Sequence, residues 1–362
     1  MADVAQVIAA VRQGLRELPR VMRQHRVSAP LLLQPAVAYT VSVPLGVCLV
    51  VAPFNYPMCL ALVPAIEALV TGNVVVIKPS EKTPATSALL ARLFGDACEG
   101  VAVIEGGPEV GKALLGRRWG TCFFTGSEAV GSVVRQACAL SGTPCTLELG
   151  GKAPAIIDET VNLTMAARRV VQGRFFNAGQ TCISVNHVRV TRAAKEPFIT
   201  ALLACLKEAY GDNPRTSPAF ARMVSTEAAM RVQALLNSHG GTVIAGGDVL
   251  PEERYVAPTI ILEPAPACEL LKREIFGPVL PILVHENVES AVNAEAAVSA
   301  TEQPLAAYVF TARKAVFTDA AMRIHCGQAV HNEVLMQFVT KTLPFGGVGS
   351  SGTGSYHGGP IY

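Results

Sequence analysis

From Val47 onward the chain repeats one rhythm: a short apolar run, a loop, then a stretch with helical spacing. Val47–Ala52 leads through Pro53–Pro57 into Met58–Thr71, which Gly72-Asn73 closes. Val74–Lys78 leads through Pro79–Pro84 into Ala85–Cys98. Val101–Glu105 leads through Gly106-Gly107-Pro108 into Glu109–Arg117. Cys122–Thr125 leads through the turn Gly126–Gly131 into a helix over Gly131–Leu140. Unbroken apolar runs suit strands buried on both faces. Four β–α units in succession predict an α/β fold with a doubly wound parallel sheet and right-handed crossovers, a Rossmann-like arrangement.

The pattern then restarts. Thr146–Leu149 reads as a strand ending at Gly150-Gly151, a natural hinge. Strands follow at Ala153–Ile157, Asn186–Val190, Thr242–Ala245, Ala257–Leu262, Val279–His285 and Ala307–Phe310. Helices are expected at Leu163–Phe176, Glu196–Tyr210, Thr226–His239 and Ala315–Cys326, which makes a second α/β lobe. Ahead of the first unit, Val4, Val7, Ile8, Val11, Leu15 and Leu18 recur at helical spacing. Asp3 serves there as N-cap and Pro19 ends or bends the helix. Val27–Leu45 holds a strand or hairpin away from the main sheet. The Gly-rich stretch Pro344–Gly354 is either disordered or shaped by something it binds.

Composition narrows the function classes. With 30 basic and 28 acidic residues and no basic block, nucleic acid and anionic membranes are poor partners. Positive mean hydropathy comes from buried strands, because prolines and charges interrupt every apolar run before a spanning length. The first 25 residues carry no signal pattern. Ten scattered cysteines lack metal-ligand spacing, so no metal site is expected and the chain reads as reduced and cytoplasmic.

Few residues are placed to do chemistry. Cys182 follows Asn177-Ala178-Gly179-Gln180-Thr181 at the end of a helical pattern, on a tight loop. It is either a small buried hydrophobe or a nucleophile that a nearby group must activate. Glu148 stands at a strand end between two leucines, either exposed or a desolvated general base. Asn55, between Phe54 and Tyr56, is a turn residue or an oxyanion donor. The turn containing Gly126, Ser127 and Gly131 is a plain helix cap or a phosphate cradle. Lys78 and Glu81 lie at the carboxyl edge of the sheet, where ribose hydroxyls bind, or form an ordinary polar loop. Glu274 and Phe276 flank a Gly-Pro turn that either clamps a flat ligand or closes on itself.

Taken in order, PFNYP, IKPSE, FTGSEAVG, LELGGK, FNAGQTC, EIFGPV and LPFGGVGSSGTGSYHG resemble the aldehyde dehydrogenase superfamily from about Leu45 to His357. The first and last look closest to its class 3 members, the fatty and aromatic aldehyde enzymes. The resemblance implies an oxidoreductase that converts an aldehyde to a carboxylic acid with NAD or NADP. Cys182 would form a thiohemiacetal and then a thioester, Asn55 and the Cys182 backbone N–H would hold the oxyanion, and Glu148 would activate the hydrolytic water. Lys78 and Glu81 resemble adenine-ribose contacts. Gly126, Ser127 and Gly131 resemble the pyrophosphate turn, and Glu274 and Phe276 the nicotinamide-ribose clamp. Asn332 resembles an asparagine lining the active site.

The same resemblance implies three parts. Residues 1–149 would form the NAD(P)-binding domain, with a bridging or oligomerisation segment near 27–45. Residues 150–335 would form the catalytic domain. Residues 336–362 would be a Gly-rich segment returning to the active site. Family members usually carry more chain at both ends, so the expectation is a shortened member, without a hydrophobic anchor, whose homodimer is weakened by a missing tail strand. Glu128 replaces the usual threonine in the phosphate turn and sets a carboxylate near a pyrophosphate. Two other readings remain open. One is an acylating enzyme that passes the thioester to coenzyme A, which Glu148 disfavours. The other is a catalytically weak or silent paralogue with a structural role.

Overall fold

A computed structural model describes residues 2–95 and 98–358. The chain divides into two compact units. The first runs to Leu147 and takes in Thr342–Pro344 and the chain from Tyr356; the second holds Glu148–Lys341 and Phe345–Ser355.

The first unit opens with α1 (Ala2–Val21), which continues through Pro19. Proline removes one intrahelical bond there, close enough to the end for the helix to close two residues later. Asp3 does not cap α1. Its carboxylate accepts the Met58 and Cys59 N–H groups at 3.1 and 2.7 Å, at the start of α2 (Cys59–Val70). Between them, β1 (His25–Val27) and β2 (Ala38–Thr40) form an exposed antiparallel pair, the hairpin expected apart from the main sheet. Then come β3 (Val47–Val51), β4 (Val74–Lys78), α3 (Pro84–Phe94), β5 (Val101–Val103), α4 (Pro108–Leu115), β6 (Thr121–Thr125), α5 (Glu128–Ser141) and β7 (Cys145–Glu148). Helix α3 stops four residues short of the expected Cys98, and Asp96 and Ala97 lie outside the described residues.

The strands lie in the order β7-β6-β3-β4-β5, with β3 parallel to both β4 and β6. The winding therefore reverses between β3 and β6. A crevice opens at such a point, outside the carboxyl ends of the strands. Cys48, Val50, Ile77 and Leu90 pack with α2 into the core beneath it.

The second unit contains β8 (Pro154–Ile157), α6 (Leu163–Phe175), β9 (His187–Thr191), α7 (Lys195–Tyr210), α8 (Thr226–Leu236), β10 (Thr242–Ala245), β11 (Val249–Leu250), β12 (Tyr255–Val256), β13 (Thr259–Leu262), α9 (Glu269–Lys272), β14 (Val279–His285), α10 (Val288–Ser299), β15 (Ala306–Phe310), α11 (Lys314–Arg323) and β16 (Gln328–His331). Seven strands form the sheet β10-β13-β14-β9-β8-β15-β16, parallel except for β10. Helix α10 was not expected. Its signal is the reciprocal capping box between Asn287 and Ser290.

The Gly-rich stretch is ordered by its own chain. Ser351 is fully buried and its carbonyl accepts the Leu149 N–H at 3.0 Å, while the Ser350 hydroxyl donates to the Gln303 carbonyl. Among the described residues no helix is long and apolar enough to cross a membrane.

Candidate active site

Cys182 sits seven residues beyond the end of α6, where the chain turns sharply. After α6, Asn177, Ala178 and Gly179 all take left-handed backbone angles, with φ of 52°, 51° and 72°. For alanine that conformation costs about 1 kcal/mol, so the surroundings must hold it. Ala178 is buried in a core of Met223, Val232, Ile261 and Ile275. A Cβ on Gly179 would lie 2.3 Å from the Gly277 carbonyl oxygen, so no larger residue fits. Gln180 fastens the loop from the other side. Its amide donates to the Asn177 and Arg222 carbonyls at 3.1 Å each and accepts the Val224 N–H at 2.9 Å.

The loop delivers a half-buried thiol whose own N–H and that of Ile183 point at the sulfur. Burial, then the carboxylates of Glu274 and Glu148, push that thiol up to about 12, against the pull of the two N–H groups. The group is thus poised to be a thiol at rest and to ionise only when a base takes its proton.

Glu148, the last residue of β7, is 2% exposed, and neither carboxylate oxygen meets a donor among the described residues. Burial alone holds its carboxyl well above the usual range. Leaving a carboxylate unpaired in the interior costs stability, and groups perturbed in this way cluster at functional sites.

Glu274 is held beside them by its own loop. The Asn186 carboxamide oxygen accepts the Ile275 N–H at 3.0 Å, and Arg231 donates to the Ile275 and Phe276 carbonyls at 2.7 and 3.1 Å. Phe276 takes a φ of 44° as the chain turns at Gly277. Gly150 is more than a hinge, because a Cβ there would lie 2.6 Å from both Glu274 carboxylate oxygens. Cys182, Glu148, Glu274 and Phe276 thus all belong to the second unit.

Two supports of this group carried no signal in the sequence. Arg174, 1% exposed near the end of α6, donates to the Ser184 hydroxyl and the Val185 carbonyl at 3.3 and 3.1 Å. Burial pulls its guanidinium down to about 9, while Glu274 opposes that shift. Tyr308 on β15 donates to the Ile183 carbonyl at 2.5 Å and accepts from the Gln337 amide at 3.1 Å. Asn332, in contrast, turns its amide onto Thr311, accepting the Thr311 N–H at 2.9 Å and donating to its carbonyl at 3.0 Å.

The remaining expected residues lie in the first unit. Asn55 is half-buried in the loop after β3, between the strand and the Asp3-capped start of α2. Lys82 lies 5.5 Å over the Phe54 ring and ties this loop to the one after β4. Lys78, buried at the end of β4, donates to Glu81 at 3.0 Å. Burial opposes but the Glu81 backbone N–H and Lys78 prevail, so the Glu81 carboxyl lies below its usual range.

Helix α5 begins at Glu128, not at Gly131, because Ser127 is its N-cap and accepts the Val130 N–H at 3.4 Å. Gly126 precedes the cap, Gly131 lies one turn inside the helix, and Glu128 is exposed in the first turn. These positions fit a dinucleotide: a helix N-terminus beside the winding reversal for a diphosphate, and a cation-carboxylate pair at the next strand edge for a ribose.

The model of the Aldehyde dehydrogenase family matches residues 1–361. The chain belongs to that family. It is 37% identical to the 4,4'-diaponeurosporen-aldehyde dehydrogenase of Staphylococcus aureus, over 98% of this chain and 77% of that one. It is 38% identical to aldehyde dehydrogenase family 3 member B1 of Rattus norvegicus, over 99% of this chain and 76% of that one. The substrate-bound structure of Staphylococcus aureus AldH superposes with a TM-score of 0.94 at 36% identity, covering 99% of this chain and 78% of that one.

More distant aldehyde dehydrogenases have been solved with either dinucleotide. The Mycobacterium tuberculosis enzyme, complexed with NAD+, is 27% identical over 98% of this chain and 73% of that one, with a TM-score of 0.86. The NADP-dependent glyceraldehyde-3-phosphate dehydrogenase of Bacillus halodurans, complexed with NADP, is 25% identical over 99% and 76%, with a TM-score of 0.89. This aldehyde dehydrogenase is an oxidoreductase of the aldehyde group that uses NAD or NADP.

Proposed function

We propose that Cys182 is the nucleophile and Glu148 the general base in aldehyde oxidation, with Asn55 in the oxyanion role. The observation that carries this reading is an unpaired, buried carboxyl grouped with a thiol that needs a base. Cys182 loses its proton and its sulfur adds to the aldehyde carbonyl, giving a thiohemiacetal. The N–H groups of Cys182 and Ile183, which face the sulfur, steady the charge before it is transferred. NAD or NADP, when bound, would supply the hydride acceptor needed for the thiohemiacetal on Cys182 to become a thioester. Glu148 then takes a proton from water, and the hydroxide releases the carboxylic acid.

Lys78 and Glu81 would hold the adenine ribose. Gly126, Ser127 and Gly131 would cradle the diphosphate at the start of α5. Glu274 and Phe276 would orient the nicotinamide ribose. Residues 1–149 form the cofactor domain in this reading, and 150–335 the catalytic domain. Ten free thiols fit a reducing, cytoplasmic setting. The exposed β1–β2 hairpin, with Leu31 89% and Leu32 93% exposed between its strands, fits an interface in a homodimer.

The decisive experiment is reduction of NAD and NADP measured across short, long and aromatic aldehydes, with Cys182→Ala alongside. The variant should bind cofactor by calorimetry and turn over no aldehyde. Aldehyde-dependent turnover that survives Cys182→Ala would remove the thiol from the reaction.

A further inference from the structure

The loop that carries Glu274 and the loop that carries Cys182 lie nested in the second unit. Gly179 and Gly277 meet backbone to backbone, since a Cβ on Gly179 would lie 2.3 Å from the Gly277 carbonyl oxygen. The Ile275 side chain is fully buried in one core with Ala178. One side chain adds a polar tie to these contacts. Asn186, four residues beyond Cys182 and 2% exposed, accepts the Ile275 N–H at 3.0 Å. Its own backbone N–H donates at 2.7 Å to the carbonyl of Ala153, three residues past the Gly150 that clears room for the Glu274 carboxylate.

The orientation of the amide follows from the group it faces. Ile275 offers an N–H, so the Asn186 oxygen must point at it. The Asn186 N–H2 meets no acceptor among the described residues. The position is therefore built around an acceptor. Arg231, an exposed residue of α8, takes the Ile275 and Phe276 carbonyls where water competes for them. Asn186 takes the loop's N–H in the interior, where a lost partner is not replaced by water.

We propose that Asn186 is a positioning residue for cofactor binding: it locks the backbone next to Glu274 and so fixes the carboxylate that holds the nicotinamide ribose. This rests on the ribose role proposed above for Glu274. Asn186 acts through Ile275 and not by touching the cofactor. The Cys182 loop has anchors of its own in Gln180, Arg174 and Tyr308. Loss of the Asn186 bond should therefore loosen Glu274 and leave the thiol in place.

The test is calorimetric titration of the full chain with NAD and with NADP. Asn186→Ala should weaken binding of the dinucleotide that wild type takes up by about tenfold, the scale of one buried hydrogen bond. Asn186→Asp keeps an acceptor oxygen and should stay within about twofold of wild type. Glu274→Ala should weaken binding by itself. Adding Asn186→Ala to it should cost little more, because Asn186 acts through the carboxylate already removed. Alkylation of Cys182 by iodoacetamide, followed by mass, should run in Asn186→Ala within about twofold of the wild-type rate. Should circular dichroism show Asn186→Ala to be misfolded, Asn186→Ser serves instead, its hydroxyl being too short to reach Ile275. Unchanged affinity in Asn186→Ala beside a weakened Glu274→Ala would overturn the positioning role alone. So would equal losses in the Asp and Ala variants, additive losses in the double variant, or an alkylation slowed together with binding. Unchanged affinity in Glu274→Ala would remove the ribose role, and the proposal with it.

Discussion

At the scale of single residues, the site is a contest over one proton. Cys182 is held up by burial and by two carboxyl groups, while Glu148 is held up by burial alone. Neither ionises readily while the other is charged. This suits a base that takes protons one step at a time. Glu148→Gln should lose far more of the steady-state rate than of the single-turnover burst of reduced cofactor, because only hydrolysis needs a proton taken from water. Stopped-flow absorbance separates the two, and equal loss of both would take Glu148 out of hydrolysis. The stability consequence has a definite sign. A carboxyl with a raised folded pKa favours the native state at low pH. That stability is lost as pH climbs from the unfolded value near ~4.3 through the raised folded one. The Tm of Glu148→Gln relative to wild type should therefore rise between acid and neutral pH. A flat difference would mean that the carboxyl is not desolvated in solution.

At the scale of elements, the proposed nucleophile is positioned from β15. The Tyr308 hydroxyl bridges the Ile183 carbonyl and the Gln337 amide, and the N–H of Ile183 is one of the two facing the sulfur. Tyr308→Phe strands a buried carbonyl, at about 1–3 kcal/mol in urea denaturation. It should also change the pH profile of Cys182 alkylation by iodoacetamide. A stability loss with an unmoved profile would make Tyr308 merely structural. The loop motif FNAGQTC was legible because its glycine and asparagine announce a turn. Its three successive left-handed residues, Ala178 among them, were not, since alanine carries no such signal and is held there by the core around it. Local rules likewise misplaced Asp3, a plausible cap for its own helix that instead caps α2 across the unit.

At the scale of the whole chain, the second sheet is fastened by a buried charge cluster. Glu295 on α10, 2% exposed, bonds His187 at 2.7 Å and Arg189, both on β9, while Arg189 also meets His285 at 2.9 Å. Burial would raise the Glu295 carboxyl, but His187 and then Arg189 pull it down to about 2. Its contribution is present above the unfolded value and lost as pH falls from ~4.3 through about 2. Glu295→Gln should cost about 3–5 kcal/mol at neutral pH by urea denaturation, with the gap narrowing in acid. A gap independent of pH would mean that the carboxylate is not the stabilising form. The exposed leucines between β1 and β2 carry the last expectation. Wild type should sediment as a dimer and Leu32→Glu as a monomer. A wild-type chain that sediments at 38.1 kDa would remove the hairpin from any stable interface.

The sequence by itself determined the alternation of strands and helices, the reversal-prone α/β class, and the order of the motifs that include Cys182 and Glu148. Those features are local: apolar runs, loop residues and fixed spacings are written in consecutive positions. Only the tertiary structure decided that Glu148 is unpaired and desolvated, that Gly150 clears space for Glu274, and that Tyr308 and Arg174 brace the Cys182 loop. Each of these depends on what residues distant in the chain bring alongside. A pKa, a cavity or a borrowed hydrogen bond belongs to that neighbourhood and not to the residue.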